Sequence, residues 1–209
     1  MSMRIYLVRH GQKQEGQNRF SRGQYDPHLT SLGEQQADLA GRRLAGLPLQ
    51  AIFCSDLTRT IQTAEIINRH LCLSLLRRPE LREIHMGDWE RVALEKLEEE
   101  QDACFLAWQE HTQDLPYPNG ESGADVLSRM LSLLAEISKQ DMQDVLLVTH
   151  GGVIRVLASA AIQLAMEKRF LLQVDHCSLT TLEYNDPSGC RLICLNDTAH
   201  LPFPDFDRE

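Results

Sequence analysis

The chain has 209 residues, 43% of them hydrophobic and 24% charged, the ordinary profile of a folded protein and not of a disordered one. Its formal charge of −9, from 30 acidic and 21 basic residues, excludes a general binder of nucleic acid or anionic membrane. Any anionic ligand must therefore be held by a local cluster of basic groups.

Six cysteines, at 54, 72, 104, 177, 190 and 194, include no CxxC pair, and they read as buried, reduced small hydrophobes. The eight histidines show neither HExxH nor paired Cys/His spacing, so no metal and no cofactor is expected. Met1 to Val8 runs directly into a strand-like segment without a long apolar stretch. Neither a signal peptide nor a membrane span is expected, and the cytoplasm is the expected location.

Met3 to Val8 is rich in branched apolar residues and predicts a buried strand. Thr30 or Ser31 can cap the first helix; Ser31 with Glu34 has capping-box spacing, and Leu32, Leu39 and Leu44 supply an apolar face. Ala51 to Cys54 predicts a second strand, and Ser55 and Asp56 offer caps for a helix from Leu57 to about Leu71. A third strand is predicted at Leu73 to Leu76. The charged stretch from Arg91 to Pro118 predicts short helices lying over the sheet. Ser122 with Asp125 caps a helix through Val126, Met130, Leu134 and Ile137. Asp144 to Thr149 predicts a central parallel strand, with another helix from Gly151. Two late strands, Cys177 to Tyr184 and Arg191 to Leu195, flank a turn at Asn185 to Gly189. Alternating strands and helices predict a three-layer α/β/α sandwich whose mostly parallel sheet carries an antiparallel edge strand. The expectation is a single domain over 1–209, with a helical segment covering the substrate at about 91–118.

In such a sheet, ligands bind beyond the carboxyl ends of the strands. There the sequence places Arg9-His10-Gly11, then Ser55-Asp56 with Arg59 one helical turn on, and Thr149-His150-Gly151-Gly152. Two histidines and two arginines beside helix N-termini suit an anion, and phosphoryl transfer in particular. A neutral imidazole is a competent nucleophile toward phosphorus, and neighbouring positive charge keeps it neutral. Gly11 reads as leaving room for close approach of the phosphate.

These blocks resemble the histidine phosphatase, or phosphoglycerate mutase-like, superfamily. Arg9-His10-Gly11 matches its RHG signature, and Ser55-Asp56-Leu57-Thr58-Arg59-Thr60 begins a second block that continues to Ala64. Leu81-Arg82-Glu83, Gly87-Asp88-Trp89-Glu90, Gly120-Glu121-Ser122 and Thr149-His150-Gly151-Gly152 complete the set, with a weaker echo at Leu195 to Leu201. The resemblance implies that His10 becomes the phosphohistidine and that Arg9, Arg59 and His150 bind phosphoryl oxygens, with Gly11 and Gly151 beside them. It implies Glu83 as the proton donor. The Leu-Arg-Glu-Ile and Gly-Asp-Trp-Glu segments look like the small phosphatase branch, which includes broad-specificity and α-ribazole phosphatases. Gly151, where the acid phosphatase branch has aspartate, argues against that branch.

Two departures stand out. Gly16 occupies a position where the family often has asparagine, which leaves open whether Asn18 takes that role, and Arg91 replaces the usual glycine after Trp-Glu. Asn18 and Arg22 are rim candidates, in a loop that also offers Arg19, Phe20, Tyr25 and His28. The expected partner is a small phosphorylated metabolite, with no nucleic acid and no membrane; a homodimer is compatible. Phosphoglycerate mutase is the competing activity, and a non-catalytic binding protein on the same scaffold the competing class.

Overall fold

The structure is a computed structural model that describes residues 2–14, 23–99, 103–185 and 189–202. Six strands form one sheet: β1 (Ser2–Arg9), β2 (Ala51–Cys54), β3 (Leu75–Arg77), β4 (Asp144–Thr149), β5 (Leu179–Asn185) and β6 (Gly189–Asp197), in the order β3-β2-β4-β1-β5-β6. β3, β2, β4 and β1 pair in parallel, whereas β5 is antiparallel to both β1 and β6. The α/β architecture with an antiparallel edge is the predicted one.

Residue period assigns the layers. Met3, Ile5 and Leu7 of β1, with Val145 and Leu147 of β4, face helices α5 (Gly123–Ser138) and α6 (Gly151–Ala161). Tyr6 and Val8, with Leu146 and Val148, face α1 (Ser31–Leu44) and α2 (Thr58–Leu71). Val145 to Val148 are all fully buried because β4 is covered on both sides, which is why the segment is continuously apolar. Each such side chain contributes about 1.5–3 kcal/mol over its exposed state. The predicted short helices are α3 (Leu94–Glu99) and α4 (Ala103–Gln109). Phe105 of α4 and Trp89 pack edge to face at 5.4 Å, and Leu97, Phe105 and Tyr117 join the same core as α5 and α6.

Several local expectations are corrected. Thr30 is the cap of α1, its Oγ1 accepting from Gly33 N at 3.0 Å, so Ser31 is already helical and the Ser31/Glu34 box does not form. That register leaves Leu32 45% exposed instead of on the apolar face, where Ala37, Ala40 and Leu44 are buried. The Ser122/Asp125 box is present in full. β3 starts two residues late because the Asn68 side chain holds both the N–H and the carbonyl of Leu73. β5 begins at Leu179, after Cys177 takes a left-handed φ of 53°. All six cysteines are free, but Cys72, Cys104 and Cys194 are exposed, against the expectation of burial. Among the described residues no helix is long and apolar enough to cross a membrane.

Candidate active site

Register builds the centre of the site. β1 and β4 run in parallel with Arg9 opposite Thr149, so the next residue of each strand, His10 and His150, meet at the carboxyl edge. Their rings contact edge to face at a centroid distance of 5.2 Å. Both side chains are buried, as are Arg9 and Arg59. The helices that follow β1 and β4, α1 and α6, lie on opposite faces of the sheet, so the carboxyl edge between these two strands is a topological switch point, where α/β sheets bind ligands.

The tautomer of His10 follows from the hydrogen bond that its ring makes among the described residues. Nδ1 lies 2.8 Å from the carbonyl oxygen of Gly11. A carbonyl only accepts, so Nδ1 carries the proton, and in the neutral ring Nε2 holds the lone pair. Burial, and after it the Arg59 guanidinium with His150, His176 and Arg9, holds the His10 pKa well below the ordinary 6.5. Burial and the charges of Arg59, Lys13, Arg129 and Arg9 do the same to His150. Neither ring nitrogen of His150 has a hydrogen-bond partner among the described residues. The site therefore presents one aimed imidazole lone pair beside another buried imidazole and two guanidiniums.

These shifts have a stability consequence. Between the depressed folded value and 6.5, the unfolded chain binds protons that the folded chain refuses, so stability rises with pH. Lowering the pH from 6.5 toward 4.5 should accordingly lower the midpoint of urea unfolding. His111 and His200, also held low by burial, add with the same sign. The ion-paired carboxylates, such as Asp56 and Glu80, act only below their ordinary values of 3.8 and 4.5. A midpoint that is flat between pH 6.5 and 4.5 would contradict the neutral, buried histidines.

Arg59 enters from the first turn of α2. Its terminal nitrogens donate to the carbonyls of Tyr25 at 2.6 Å and Gly23 at 3.3 Å, and Asp26 lies 3.8 Å away. Asp26 also accepts from Thr58 N at 2.6 Å and Thr58 Oγ1 at 2.7 Å. The predicted caps, Ser55 and Asp56, are thus replaced by one from a distant loop. Asp56 instead takes both ends of the Arg82 guanidinium, at 2.7 and 2.5 Å, and so pins the segment that carries Glu83.

Glu83 reaches the start of α6. Its Oε2 accepts from Gly152 N at 3.1 Å, and its Oε1 accepts from Ile84 N at 2.9 Å. On the other side, Glu121 binds Arg129 at 2.8 and 3.0 Å and accepts from His85 N at 2.9 Å, while Arg129 also donates to the Glu80 carbonyl. The segment that carries Glu83 is thereby braced from both flanks.

The Histidine phosphatase superfamily (branch 1) model matches residues 5–198. The chain belongs to this superfamily. As a histidine phosphatase it is a phosphoric monoester hydrolase. It is 34% identical over 210 residues to a probable phosphoglycerate mutase, GpmB, of Escherichia fergusonii, with 98% of each chain covered. It is similar to the α-ribazole phosphatase of Shigella flexneri, at 28% identity and a TM-score of 0.81 over 93% of this chain and 96% of that one. It is also similar to a mycobacterial glucosyl-3-phosphoglycerate phosphatase, at 28% identity and a TM-score of 0.83 over 95% of this chain and 100% of that one.

The residues singled out in this histidine phosphatase fare unevenly. His10, Arg9, Arg59, His150 and Glu83 converge as the sequence suggested. Gly11 is corrected in its reason: its N–H donates to Thr63 Oγ1 at 3.0 Å and its carbonyl is taken by His10, so it orients the ring and does not grip oxygens. A Cβ there would lie 2.4 Å from the Gly33 carbonyl oxygen, so the close approach of the Gly33 backbone itself demands glycine. Gly151 would carry a Cβ at an ordinary 3.4 Å from Arg9 Nε. Gly16, Asn18, Arg19, Phe20 and Arg22 lie outside the described residues. Arg91 has a φ of 67°, which glycine adopts freely, and its guanidinium lies over the Tyr25 ring at 5.1 Å.

Two further residues, Lys13 and His176, escaped the sequence reading, and Gly152 was placed in a block without a role. Gly152 matters because a Cβ would stand 2.3 Å from Glu83 Oε1. Gly152→Ala should therefore fold normally but lower kcat on alkyl phosphates by about tenfold or more, as a misplaced acid requires; unchanged kcat would argue against the contact. Lys13 is buried, with its charge felt at His150. His176, also buried, contacts His10 at 5.5 Å between ring centroids. Among the described residues no group of three or more His, Cys, Asp or Glu is arranged to hold a metal ion.

Proposed function

We propose that this histidine phosphatase hydrolyses a small phosphorylated metabolite at the His10 centre. The observation that supports the reading best is the His10 ring: Nδ1 is fixed on the Gly11 carbonyl, and Nε2 is left as the lone-pair nitrogen among buried cations. Nε2 bonds to phosphorus as the ester oxygen leaves. Arg9, Arg59 and His150 hold the non-bridging oxygens; the two guanidiniums balance their charge, the role that arginines and metals share in other phosphoryl transfers, and neutral His150 donates a ring N–H. Glu83 gives its proton to the leaving oxygen, then takes one from the water that attacks the phosphohistidine, which restores both residues. The substrate is a sugar or other metabolite phosphate of the size that the similar phosphatases' names imply. We also take the whole of 1–209 to act as one domain in the cytoplasm, with 91–118 covering the substrate, and to bind neither nucleic acid nor membrane, which its charge of −9 disfavours.

The relatives named as probable phosphoglycerate mutases support a second reading, in which His10 returns the phosphoryl to a sugar-acid hydroxyl instead of water. One assay separates them. A panel of phosphorylated metabolites, with EDTA present, should release inorganic phosphate from one or more members. Interconversion of the phosphoglycerates without phosphate release would favour the mutase. Activity lost to EDTA and restored by Mg²⁺ or Zn²⁺ would overturn charge compensation by the arginines alone.

A further inference from the structure

The segment Val174 to Ser178 joins the last 3-10 turn (Met166–Leu171) to β5, and each of its five residues is at most 2% exposed. Connecting segments normally run over the surface, since their backbone groups need partners. Here the partners come from the site itself and from β6. Arg9 donates to the Val174 carbonyl at 2.7 Å, and Cys177 N donates to the Arg9 carbonyl at 3.0 Å. Asp175 and Asn196 form a reciprocal pair: Asp175 N donates to Asn196 Oδ1 at 2.7 Å, and Asn196 Nδ2 donates to Asp175 Oδ2 at 2.8 Å. Cys177 holds a φ of 53°, a left-handed conformation uncommon for a residue other than glycine, asparagine or aspartate.

That framework fixes one side chain against the nucleophile. The His176 ring lies 5.5 Å from the His10 ring at an interplanar angle of 48°, and is 2% exposed. The neighbouring Cys177 and Leu179 face the apolar core; the His176 ring faces that of His10. An imidazole used only as filler would be better placed with them than beside Arg9 and His10, because burial opposes its charged form and nearby cations add to that.

We propose that His176 is a third imidazole contact of the phosphoryl group, donating one ring N–H to a non-bridging oxygen while that group sits on His10 Nε2. This rests on the reading of His10 as nucleophile. The contact exists to oxygens that are the same for every substrate, so its loss is independent of the leaving group, unlike the loss of Glu83. It also exists to any tetrahedral or bipyramidal oxyanion in the pocket, so it is measurable without turnover.

The test compares wild type with His176→Asn, which keeps a short N–H donor, and His176→Phe, which keeps the ring volume without one. Thermal melts establish that each is folded. The expected result is that His176→Phe loses about tenfold to hundredfold in kcat/KM on alkyl and para-nitrophenyl phosphates alike, with orthovanadate inhibition weakened by a similar factor. His176→Asn should recover a substantial part of both. If His176→Phe matches or exceeds His176→Asn, or both equal wild type in vanadate inhibition, His176 is a packing residue and the proposal fails. Wild type that neither hydrolyses the panel nor binds vanadate would instead sink the phosphatase reading on which it rests.

Discussion

His10→Ala is expected to lose roughly four to six decades of kcat, as loss of a nucleophile does when nothing adjacent can replace it. His150 is buried beside it, but its side chain has no hydrogen bond among the described residues to fix either nitrogen as donor or acceptor. It is therefore not held with a lone pair directed as His10 Nε2 is. The variant should still bind inorganic phosphate, because Arg9, Arg59 and His150 remain. Calorimetry on the folded variant checks this, and separates loss of the nucleophile from collapse of the pocket. A variant that keeps near wild-type turnover removes His10 from the mechanism.

Glu83→Gln carries the second large effect. General acid catalysis is typically worth ~10²–10⁴ in rate, so single-turnover phosphorylation by alkyl phosphates should slow by that amount. Para-nitrophenyl phosphate should suffer less, since its phenolate leaves with little help. Single turnovers are needed because dephosphorylation also uses Glu83. The substitution has a structural side as well: both carboxyl oxygens accept backbone N–H groups, from Ile84 and Gly152, and a carboxamide offers only one acceptor oxygen. A purely positional loss of this sort would slow both substrate types equally. That outcome would move the search for the acid to His85, which is 45% exposed, and Asp88 in the same segment.

What could be read in the sequence was what short-range physics determines. β1, β2 and β4 are legible because a strand covered on both faces must be apolar throughout. The Ser122–Asp125 box is legible because both of its bonds close within one turn. The clustering of His10 and His150 follows from two strand ends, once the strands are taken as parallel neighbours. What escaped depends on distant chain. α2 is capped by Asp26, more than thirty residues earlier, so the local candidates Ser55 and Asp56 misled. His176 follows no strand end; it is brought to His10 by β5 folding back antiparallel to β1, a register that no local pattern reveals. Gly11 and Gly152 are visible as glycines, but the atoms that forbid their side chains, on Gly33 and Glu83, are not.

The covalent intermediate is the central claim, and rapid quench reads it directly. Wild type mixed with phosphate-labelled substrate and quenched within one turnover should carry label that is acid-labile and base-stable, located on His10 and absent from His10→Ala. No labelled protein on the turnover timescale, or label that persists in His10→Ala, would contradict the account.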